Sequence, residues 1–145
     1  MKLNCVDRLD DRQIKDLHRL YHREWWTDSR ELADVKEMLE HTDVIIGYTE
    51  PGNEKLVAFA RVLTDRVYKA LVLDVIVADS HRSTGLGKVL MQAILGHPRL
   101  ARVRDFELYC RPELVPFYRR MGFDPDPDQL KFLRLQRAAE PLDRD

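Results

Sequence analysis

The fold predicted for this chain is decided by one stretch, residues 70–95, with the sequence ALVLDVIVADSHRSTGLGKVLMQAIL. Its first part, residues 70–77, is apolar apart from Asp74 and rich in β-branched side chains, as is typical of a strand covered on both faces. A polar turn with two glycines follows, and apolar residues then recur at the spacing of a helix. The stretch therefore predicts a strand, a loop and a helix.

The start of that helix is suited to an anion. The first amide groups of a helix have no carbonyl partner, and the aligned peptide dipoles place partial positive charge there. Gly85 and Gly87 have no side chain to keep a ligand away, and Arg82 and Lys88 bring full positive charges. We therefore expect a phosphate or pyrophosphate at this loop.

Two known phosphate-binding motifs do not fit the spacing. A P-loop requires G-x-x-x-x-G-K-[ST], but Arg82 stands at the position of the first glycine and Val89 follows Lys88. A dinucleotide fingerprint requires a third glycine at the position where this chain has Leu90. Both motifs are therefore excluded.

The pattern [RQ]-x-x-G-x-[GA] does fit, through Arg82, Gly85 and Gly87. It resembles the acyl-CoA pyrophosphate loop of the GCN5-related N-acetyltransferase (GNAT) superfamily. A second stretch, FYRRMGF at residues 117–123, is similar to the F-Y-x-x-x-G-F segment of the same family. The two stretches lie at the separation expected for a helix and a strand between them.

The predicted elements follow the order β-α-α-β-β-β-α-β-α-β. This order resembles that of the GNAT fold over roughly residues 2–135. The predicted strands cover residues 2–6, 43–49, 56–63, 70–77, 106–110 and 130–135. The resemblance implies a mixed α+β class. It also implies a mixed, mostly antiparallel sheet with a splayed parallel pair, residues 70–77 and 106–110, at its centre.

Helix boundaries follow from capping residues. The first helix is expected to start at Asp10 or Asp11 and to end near Glu24. Residues 27–29, Thr-Asp-Ser, offer caps for the second helix. The last helix is expected from about Glu113 to Met121, followed by a left-handed cap at Gly122.

Length and composition favour one soluble domain. A chain of 145 residues with 44% hydrophobic and 34% charged residues is typical of a single globular unit. We expect that domain to span residues 1–137, followed by a frayed tail at residues 138–145.

Charge and cysteine content limit the expected binding partners and the expected cellular location. A net charge of −1 gives no basic field for nucleic acid or an acidic membrane, and no apolar run is long enough for a membrane span. Cys5 and Cys110 lie far apart without a secretory signal, which favours free thiols and a cytoplasmic location. Relatives in the family often dimerise, so the resemblance also allows a homodimer.

The resemblance implies acetyl-CoA as the cofactor and assigns residues to it. Main-chain groups of the strand would bind the pantetheine arm as an added strand does, and the loop would bind the pyrophosphate. The residues implied are Val75, Ile76, Val77, Arg82, Ser83, Thr84, Gly85, Leu86, Gly87, Lys88 and Arg111. Many relatives carry asparagine where Arg111 stands, so Arg111 is also a candidate for a cofactor phosphate or an acidic substrate.

Tyr118 matches the tyrosine that many family members use as the acid toward the departing thiolate. The alternative is that Tyr118 packs beside Phe117 on an amphipathic helix, with its hydroxyl bonded to a carbonyl group. The resemblance favours the catalytic role.

Asp74 is the single charge in its apolar strand, and it is a candidate base for the amine. Alternation places Asp74 and Ile76 on the face opposite Val75 and Val77. A buried carboxylate must be paired, hydrogen-bonded or protonated. The alternative role is therefore structural, with the carboxylate satisfied by a backbone amide or by an arginine such as Arg61.

Trp25 and Trp26 lie between the first two predicted helices, a region that lines the acceptor side in the family. They are candidates for an aromatic wall that receives an apolar or cationic amine. The alternative is that both belong to the core, and exposure distinguishes the two cases.

No metal site is expected. His18 and His22 share a helical face, but neither a third ligand nor the glutamate of H-E-x-x-H accompanies them. A surface pair is the simpler interpretation.

These observations predict an acetyl-CoA-dependent N-acetyltransferase that acts by direct attack of a primary amine on the thioester in a ternary complex. One alternative is a catalytically silent acyl-CoA-binding or regulatory module on the same fold. Another is an interaction domain whose loop binds an adventitious anion. The sequence does not decide which amine is the acceptor, because small molecules and peptides fit the same fold.

Overall fold

The sheet is built around the apolar strand that the sequence predicts. The structure, a computed structural model, describes residues 2–125 and 127–137. The chain divides into two compact units, Met1–Leu108 and Tyr109–Asp145, and each is described by itself. The single domain expected over residues 1–137 remains a prediction.

The first unit contains a five-stranded sheet with the order β1-β2-β3-β4-β5. The first three pairings are antiparallel and the pairing of β4 with β5 is parallel. The strands are β1 (Asn4–Val6), β2 (Val44–Thr49), β3 (Leu56–Thr64), β4 (Lys69–Val77) and β5 (Asp105–Glu107), and the helices are α1 (Asp11–His22), α2 (Leu32–Glu40) and α3 (Leu86–Leu95). The mixed α+β class is confirmed.

Helix α1 begins at a capping box, as Asp10 predicts. The amide of Gln13 donates to the Asp10 carboxylate at 2.8 Å, and the amide of Asp10 donates to the Gln13 side chain at 3.0 Å. Such a cap contributes about 1 kcal/mol to the stability of the helix.

Helix α2 begins later than its predicted caps at residues 27–29. Glu31 stands at the cap position and makes no side-chain cap bond within the described residues. Thr27 is fully buried, and its hydroxyl donates to the carbonyl of Tyr21 at 2.7 Å. Because that hydroxyl is used to anchor the chain to α1, it does not cap a new helix.

The main core lies between the first two helices and the centre of the sheet. Its apolar side chains come from α1, α2, β3 and β4, and include Leu17, Tyr21, Val35, Leu39, Leu56, Phe59 and Ile76. Helix α3 lies against β2, β3 and β4. The sheet thereby holds the loop before α3 at the end of β4.

Strand β4 contains a bulge at Asp74. Leu73 pairs with Arg61 and Ile76 pairs with Phe59, so Asp74 and Val75 stand opposite Ala60 alone. Asp74 has a φ of +56°, in the left-handed region that aspartate tolerates better than most residues. A bulge of this kind re-aims the side chain and the main chain of its strand.

The parallel pair is shorter than predicted and lies at an edge of the sheet. Residues 69–71 of β4 pair with residues 105–107 of β5, whereas the prediction for the second strand was residues 106–110. The central position predicted for the pair is wrong, because β5 ends the strand order in the described part of the chain.

The last predicted strand, residues 130–135, does not form in the second unit. This segment has no regular secondary structure, and Leu130, Phe132, Leu133 and Leu135 are exposed. The spacing of apolar residues suits a strand, but a strand also requires a partner for its backbone hydrogen bonds.

Among its described residues, 109–125 and 127–137, the second unit contains one short α-helix. A 3₁₀ turn at Pro112–Leu114 leads into α4 (Val115–Arg119), a shorter helix than the predicted residues 113–121. Gly122 has a φ of +96°, which confirms the predicted left-handed cap. The frayed tail predicted at residues 138–145 lies outside the described residues.

Candidate active site

The loop before α3 has the backbone of an anion site. Ser83 and Gly85 have φ values of +62° and +82°. Gly85 is the N-cap of α3, and in the described part of the chain no side chain caps that end. Left-handed residues in a tight loop turn successive amide groups toward one concave side, where the first amides of the helix also point.

The same loop is open and positively charged. A Cβ atom placed on Gly85 would meet nothing within 4 Å, so this glycine is required by its backbone angle rather than by space. Arg82 and Lys88 are exposed, as are Ser83 and Thr84. These residues fit a pyrophosphate in both charge and access.

Arg82 is held by acidic and main-chain partners near the loop. Its Nη2 atom lies 2.8 Å from Glu24 Oε1, and its Nε atom lies 3.2 Å from Asp79 Oδ1. Nε also donates to the carbonyl of Val77 at 3.3 Å. Exposed ion pairs of this kind are worth at most about 1 kcal/mol, so a bound phosphate can displace them.

Beyond the short parallel pair, the side of β4 that faces β5 has no partner strand among the described residues. The pairing with β5 ends at Leu71 and Glu107, and among the described residues 72–77 of β4 pair with β3 alone. Residues 75–77, which the family resemblance assigns to pantetheine, lie on this part of the strand. An edge without a partner strand leaves N–H and C=O groups that an extended ligand can bind.

The Asp74 carboxylate is buried and receives hydrogen bonds from three side chains. Arg30 donates from Nη1 to Oδ2 at 2.8 Å and from Nη2 to Oδ1 at 3.4 Å. Arg61 donates from Nε to Oδ2 at 2.6 Å, and Tyr21 donates its hydroxyl to Oδ2 at 2.9 Å. The arginine partner that the sequence suggests for Asp74, Arg61, is confirmed.

These donors decide the charge of Asp74. Burial by itself would raise its pKa, but the hydrogen bonds and charges of Arg30 and Arg61 outweigh burial and lower the pKa below its usual value. Burial, followed by the charge of Asp74, raises the pKa of Tyr21, whose hydroxyl therefore stays protonated. The carboxylate is thus ionised, and both of its oxygens accept hydrogen bonds, which favours its structural role. The role of Asp74 as a base remains a prediction.

Residues 23–31, between α1 and α2, carry both tryptophans at the surface. Trp25 is 64% exposed and Trp26 is 43% exposed, so neither belongs to the core. The loop is anchored by buried Thr27 and by Arg30, whose carbonyl lies 2.9 Å from His18 Nε2. Two exposed indole rings on an anchored loop are what an aromatic acceptor wall requires, and their contact with a substrate remains a prediction.

Tyr118 lies in α4 and is buried within the second unit. Its ring packs against Phe117 at 4.9 Å and Phe123 at 5.9 Å between centroids. Burial, followed by the nearby Cys110, raises the pKa of Tyr118 to about 12, so the phenol is protonated at neutral pH. The predicted packing with Phe117 is confirmed, and a role as acid remains a prediction.

Arg111 and Cys110 also lie in the second unit. Arg111 Nη1 lies 3.9 Å from Glu113 Oε1, and its assignment to the cofactor remains a prediction. Burial raises the pKa of the Cys110 thiol, with a smaller contribution from Glu113. Both Cys5 and Cys110 are free, as expected.

The histidine pair on α1 is a local contact. The Nε2 atoms of His18 and His22 lie 2.9 Å apart. Within the described ranges no three His, Cys, Asp or Glu side chains form a group that could hold a metal ion. A search of the same residues finds no helix with the length and apolar character needed to cross a membrane.

Sequence patterns did not identify Arg30 or Glu24 as site residues. Arg30 lies in a short polar segment between two helices, where a single arginine carries no periodicity or motif. The available signal was indirect, because a lone carboxylate in an apolar strand must be paired, hydrogen-bonded or protonated. It allowed a cationic partner for Asp74, with Arg61 as the example, and did not identify Arg30.

Comparison with known proteins agrees with this geometry. Residues 11–123 match the family described as the Acetyltransferase (GNAT) family. The chain is 32% identical to the uncharacterized N-acetyltransferase ycf52 of Porphyra purpurea, over 90% of this chain and 83% of that protein. It is 36% identical to GCN5-related N-acetyltransferase 1, chloroplastic, of Arabidopsis thaliana, over 74% of this chain and 56% of that protein.

A solved structure from Xanthomonas campestris pv. campestris, assigned to the GNAT family, superposes with a TM-score of 0.78 at 31% identity, over 93% of this chain and 94% of that chain. The order of the elements from β1 to α4 is the one that the family resemblance predicts, without the last predicted strand. Since the family match covers most of the sequence, the chain belongs to the GNAT family of N-acetyltransferases.

Proposed function

We propose that this protein transfers the acetyl group of acetyl-CoA to a primary amine by direct attack in a ternary complex. The observation that supports the cofactor is the loop before α3, where Ser83 and Gly85 are left-handed and the helix end is uncapped by described side chains. The charges of Arg82 and Lys88 are suited to two phosphate groups.

In this proposal residues 82–88 hold the pyrophosphate with main-chain amides and two cationic side chains. Residues 75–77 bind the pantetheine arm along the edge of β4, and Arg111 provides a further contact. The bound thioester supplies an activated acetyl carbon. The bulge at Asp74 supports this arrangement, because it interrupts the regular pairing next to Val75.

Two proton transfers must accompany the reaction. An alkyl amine with a pKa near 10.4 is about 0.1% unprotonated at pH 7.4, a handicap of roughly 4 kcal/mol. The sequence predicts that Asp74 helps to remove this proton, either directly or through water. Tyr118 is proposed to donate a proton to the departing sulfur. The donors that occupy both Asp74 oxygens disfavour direct contact with the amine, so the proposed route runs through water. The lowered pKa weakens Asp74 as a base in either route.

The acceptor is proposed to be an amine with an apolar or aromatic body. Exposed Trp25 and Trp26 support this class, since indole rings bind apolar and cationic groups. One relative, 32% identical over 78% of this chain and 58% of that protein, is named serotonin N-acetyltransferase 2, chloroplastic, of Oryza sativa subsp. japonica. Another, 26% identical over 83% of this chain and 56% of that protein, is named histone acetyltransferase TAP1 of Glycine max.

Calorimetric titration with acetyl-CoA, with ATP and NAD as controls, tests the cofactor. We expect selective binding at micromolar concentration or tighter. Gly87→Glu should abolish it, because bulk and negative charge enter the phosphate site. Gln92→Glu adds the same charge to an exposed position later in α3 and should bind normally. Equal binding by both variants would refute the loop assignment.

Release of free thiol then tests the reaction, with serotonin, spermidine and a histone tail peptide as acceptors. Our proposal predicts the highest kcat/KM for the aromatic amine. Cofactor binding without thiol release for any amine would instead support the catalytically silent module.

The homodimer and the cytoplasmic location also remain proposals. Sedimentation equilibrium tests the homodimer.

A further inference from the structure

The segment between α1 and α2, residues 23–31, is here called the tryptophan loop. It contains Trp25 and Trp26, which are the two tryptophans of the whole sequence. Two of its contacts bind it to α1: the Thr27 hydroxyl donates to the Tyr21 carbonyl, and the Arg30 carbonyl lies beside His18. A third contact reaches a different element.

That third contact joins the tryptophan loop to the bulge in β4. Arg30 donates to both oxygens of Asp74, at 2.8 and 3.4 Å. The Asp74 side chain is 3% exposed and the Arg30 side chain 31% exposed. A two-point contact with a buried carboxylate is stronger and more directional than an exposed ion pair.

The Arg30 side chain is also fixed by packing. Its guanidinium lies over the Tyr21 ring, 4.6 Å from the centroid, while the Tyr21 hydroxyl donates to the same carboxylate. The guanidinium plane is therefore stabilised by a ring and by a carboxylate at once. This leaves the charged end of Arg30 little freedom to move independently of β4.

The partner of Arg30 is the extra residue of the bulge. Asp74 precedes Val75, and the bulge sets the course of the main chain at residues 74 and 75. Asp74 thus lies between two features on which the proposed reaction depends. These are the edge of β4 assigned to the cofactor and the loop that presents the indole rings.

We propose that Arg30 is a positioning residue for the acceptor amine, which it serves by fixing the tryptophan loop to the bulge at Asp74. The inference rests on the proposed function for the identity of the ligand. The inferred role of Arg30 in holding the loop rests on its own contacts and does not depend on the identity of the ligand. Loss of the guanidinium is expected to loosen the indole surface while leaving the phosphate loop in place.

The link can be tested without any catalysis, because all tryptophan fluorescence of this protein comes from the tryptophan loop. Arg30→Met keeps a long apolar side chain over Tyr21 and removes the ion pair. We expect a lower fluorescence anisotropy, as the rings gain local motion. Arg61→Met is the matched control, since it removes an equal charge from the same carboxylate but from β3, and it should leave the anisotropy unchanged.

Kinetics test the consequence for the substrate. Arg30→Met should raise the KM for the amine about tenfold, with a smaller change in kcat because Arg61 and Tyr21 still bind Asp74, and with unchanged acetyl-CoA affinity. Arg30→Lys keeps the charge but lacks the two-point contact, so it should restore part of the loss. A variant that merely unfolds more readily would instead lose active protein without this division between KM and kcat.

Unchanged anisotropy in Arg30→Met, or an equal drop in Arg61→Met, would overturn the inference, as would an unchanged amine KM. If Arg30→Met does not fold, Arg30→Lys is measured in both assays. Wild-type anisotropy and wild-type amine KM in Arg30→Lys would then overturn the inference. If no amine is acetylated, the proposed function fails, and the anisotropy still decides whether Arg30 holds the loop.

Discussion

Arg82 and Glu24 form an ion pair, with 2.8 Å between Nη2 and Oε1, and it joins the phosphate loop to the tryptophan loop. Glu24 is the residue next to Trp25. A phosphate group that reaches Arg82 must compete with this carboxylate or be repelled by it. The proposed cofactor site and the proposed acceptor side are therefore in electrostatic contact.

Removal of the Glu24 charge should strengthen cofactor binding. In Glu24→Gln we expect acetyl-CoA to bind up to about fivefold more tightly, since an exposed pair is worth at most about 1 kcal/mol. Calorimetry measures this change. Glu31→Gln, an exposed position of the same loop, is the control and should bind as wild type does. Weaker binding by Glu24→Gln would mean that Glu24 orients Arg82 instead of competing for it.

The left-handed backbone at Gly85 predicts a specific loss when a side chain is added. Gly85→Ala should cost about 1–2 kcal/mol of unfolding free energy, because its φ of +82° is strained for alanine although space is available. If alanine shifts the loop to relieve this strain, acetyl-CoA affinity falls as well. Urea denaturation and calorimetry measure the two effects.

Gly52→Ala is the matched control for this change. Gly52 has a φ of +92° in the turn between β2 and β3, with nothing within 4 Å of its added Cβ atom. It should lose similar stability and keep its acetyl-CoA affinity. Equal loss of affinity in both variants would show that general destabilisation, rather than the loop, is responsible.

The buried charge of Asp74 predicts a pH dependence of stability. Because its pKa is lowered in the folded protein, its ionised form stabilises the fold above the unfolded value of about 3.9. That stabilisation is lost as the pH falls through the lower, folded value. Asp74→Asn should cost about 3–5 kcal/mol at pH 7, since it leaves two guanidinium groups without their buried anion.

Urea denaturation between pH 7 and pH 2.5 measures this effect. The difference between wild type and Asp74→Asn should shrink below pH 4. Asp79→Asn removes an exposed carboxylate and should change the free energy of unfolding by less than about 0.5 kcal/mol. A difference for Asp74→Asn that stays constant down to pH 2.5 would contradict the lowered pKa.

The proposed role of Tyr118 as an acid predicts that its loss affects kcat but not acetyl-CoA affinity. Tyr118→Phe should keep acetyl-CoA affinity and lower kcat about a hundredfold, the usual contribution of a general acid. In wild type the rate should not fall on the alkaline side until the pH approaches the pKa of about 12. Tyr109→Phe alters an exposed tyrosine of the same unit and should not change kcat. An unchanged rate in Tyr118→Phe would remove it from the mechanism.

Local patterns were sufficient for much of the fold and for the loop that is proposed to bind phosphate. The strand at residues 70–77, the cap at Asp10 and the left-handed Gly122 follow from periodicity, capping chemistry and backbone sterics. The loop at residues 82–88 was identified from glycine spacing and charge. Each of these features depends on residues that are close in the sequence.

Other features required the packed structure. The segment 130–135 has the composition of a strand, but strand formation depends on a partner that composition does not specify. The bulge at Asp74 arises from the pairing of β3 with β4, which one strand alone does not encode. The exposure of Trp25 and Trp26 to solvent likewise depends on how the loop is anchored.

The sequence by itself determined the local chemistry of this protein: a buried strand with one carboxylate, a phosphate loop and an aromatic pair. Only the tertiary structure decided that Arg30, which is 44 residues from Asp74 in the chain, binds that carboxylate together with Arg61 and Tyr21. The physical reason is that a buried carboxylate that stays ionised requires hydrogen-bond donors or a partner of opposite charge. Which distant residue supplies that partner is set by the packing of helices on the sheet.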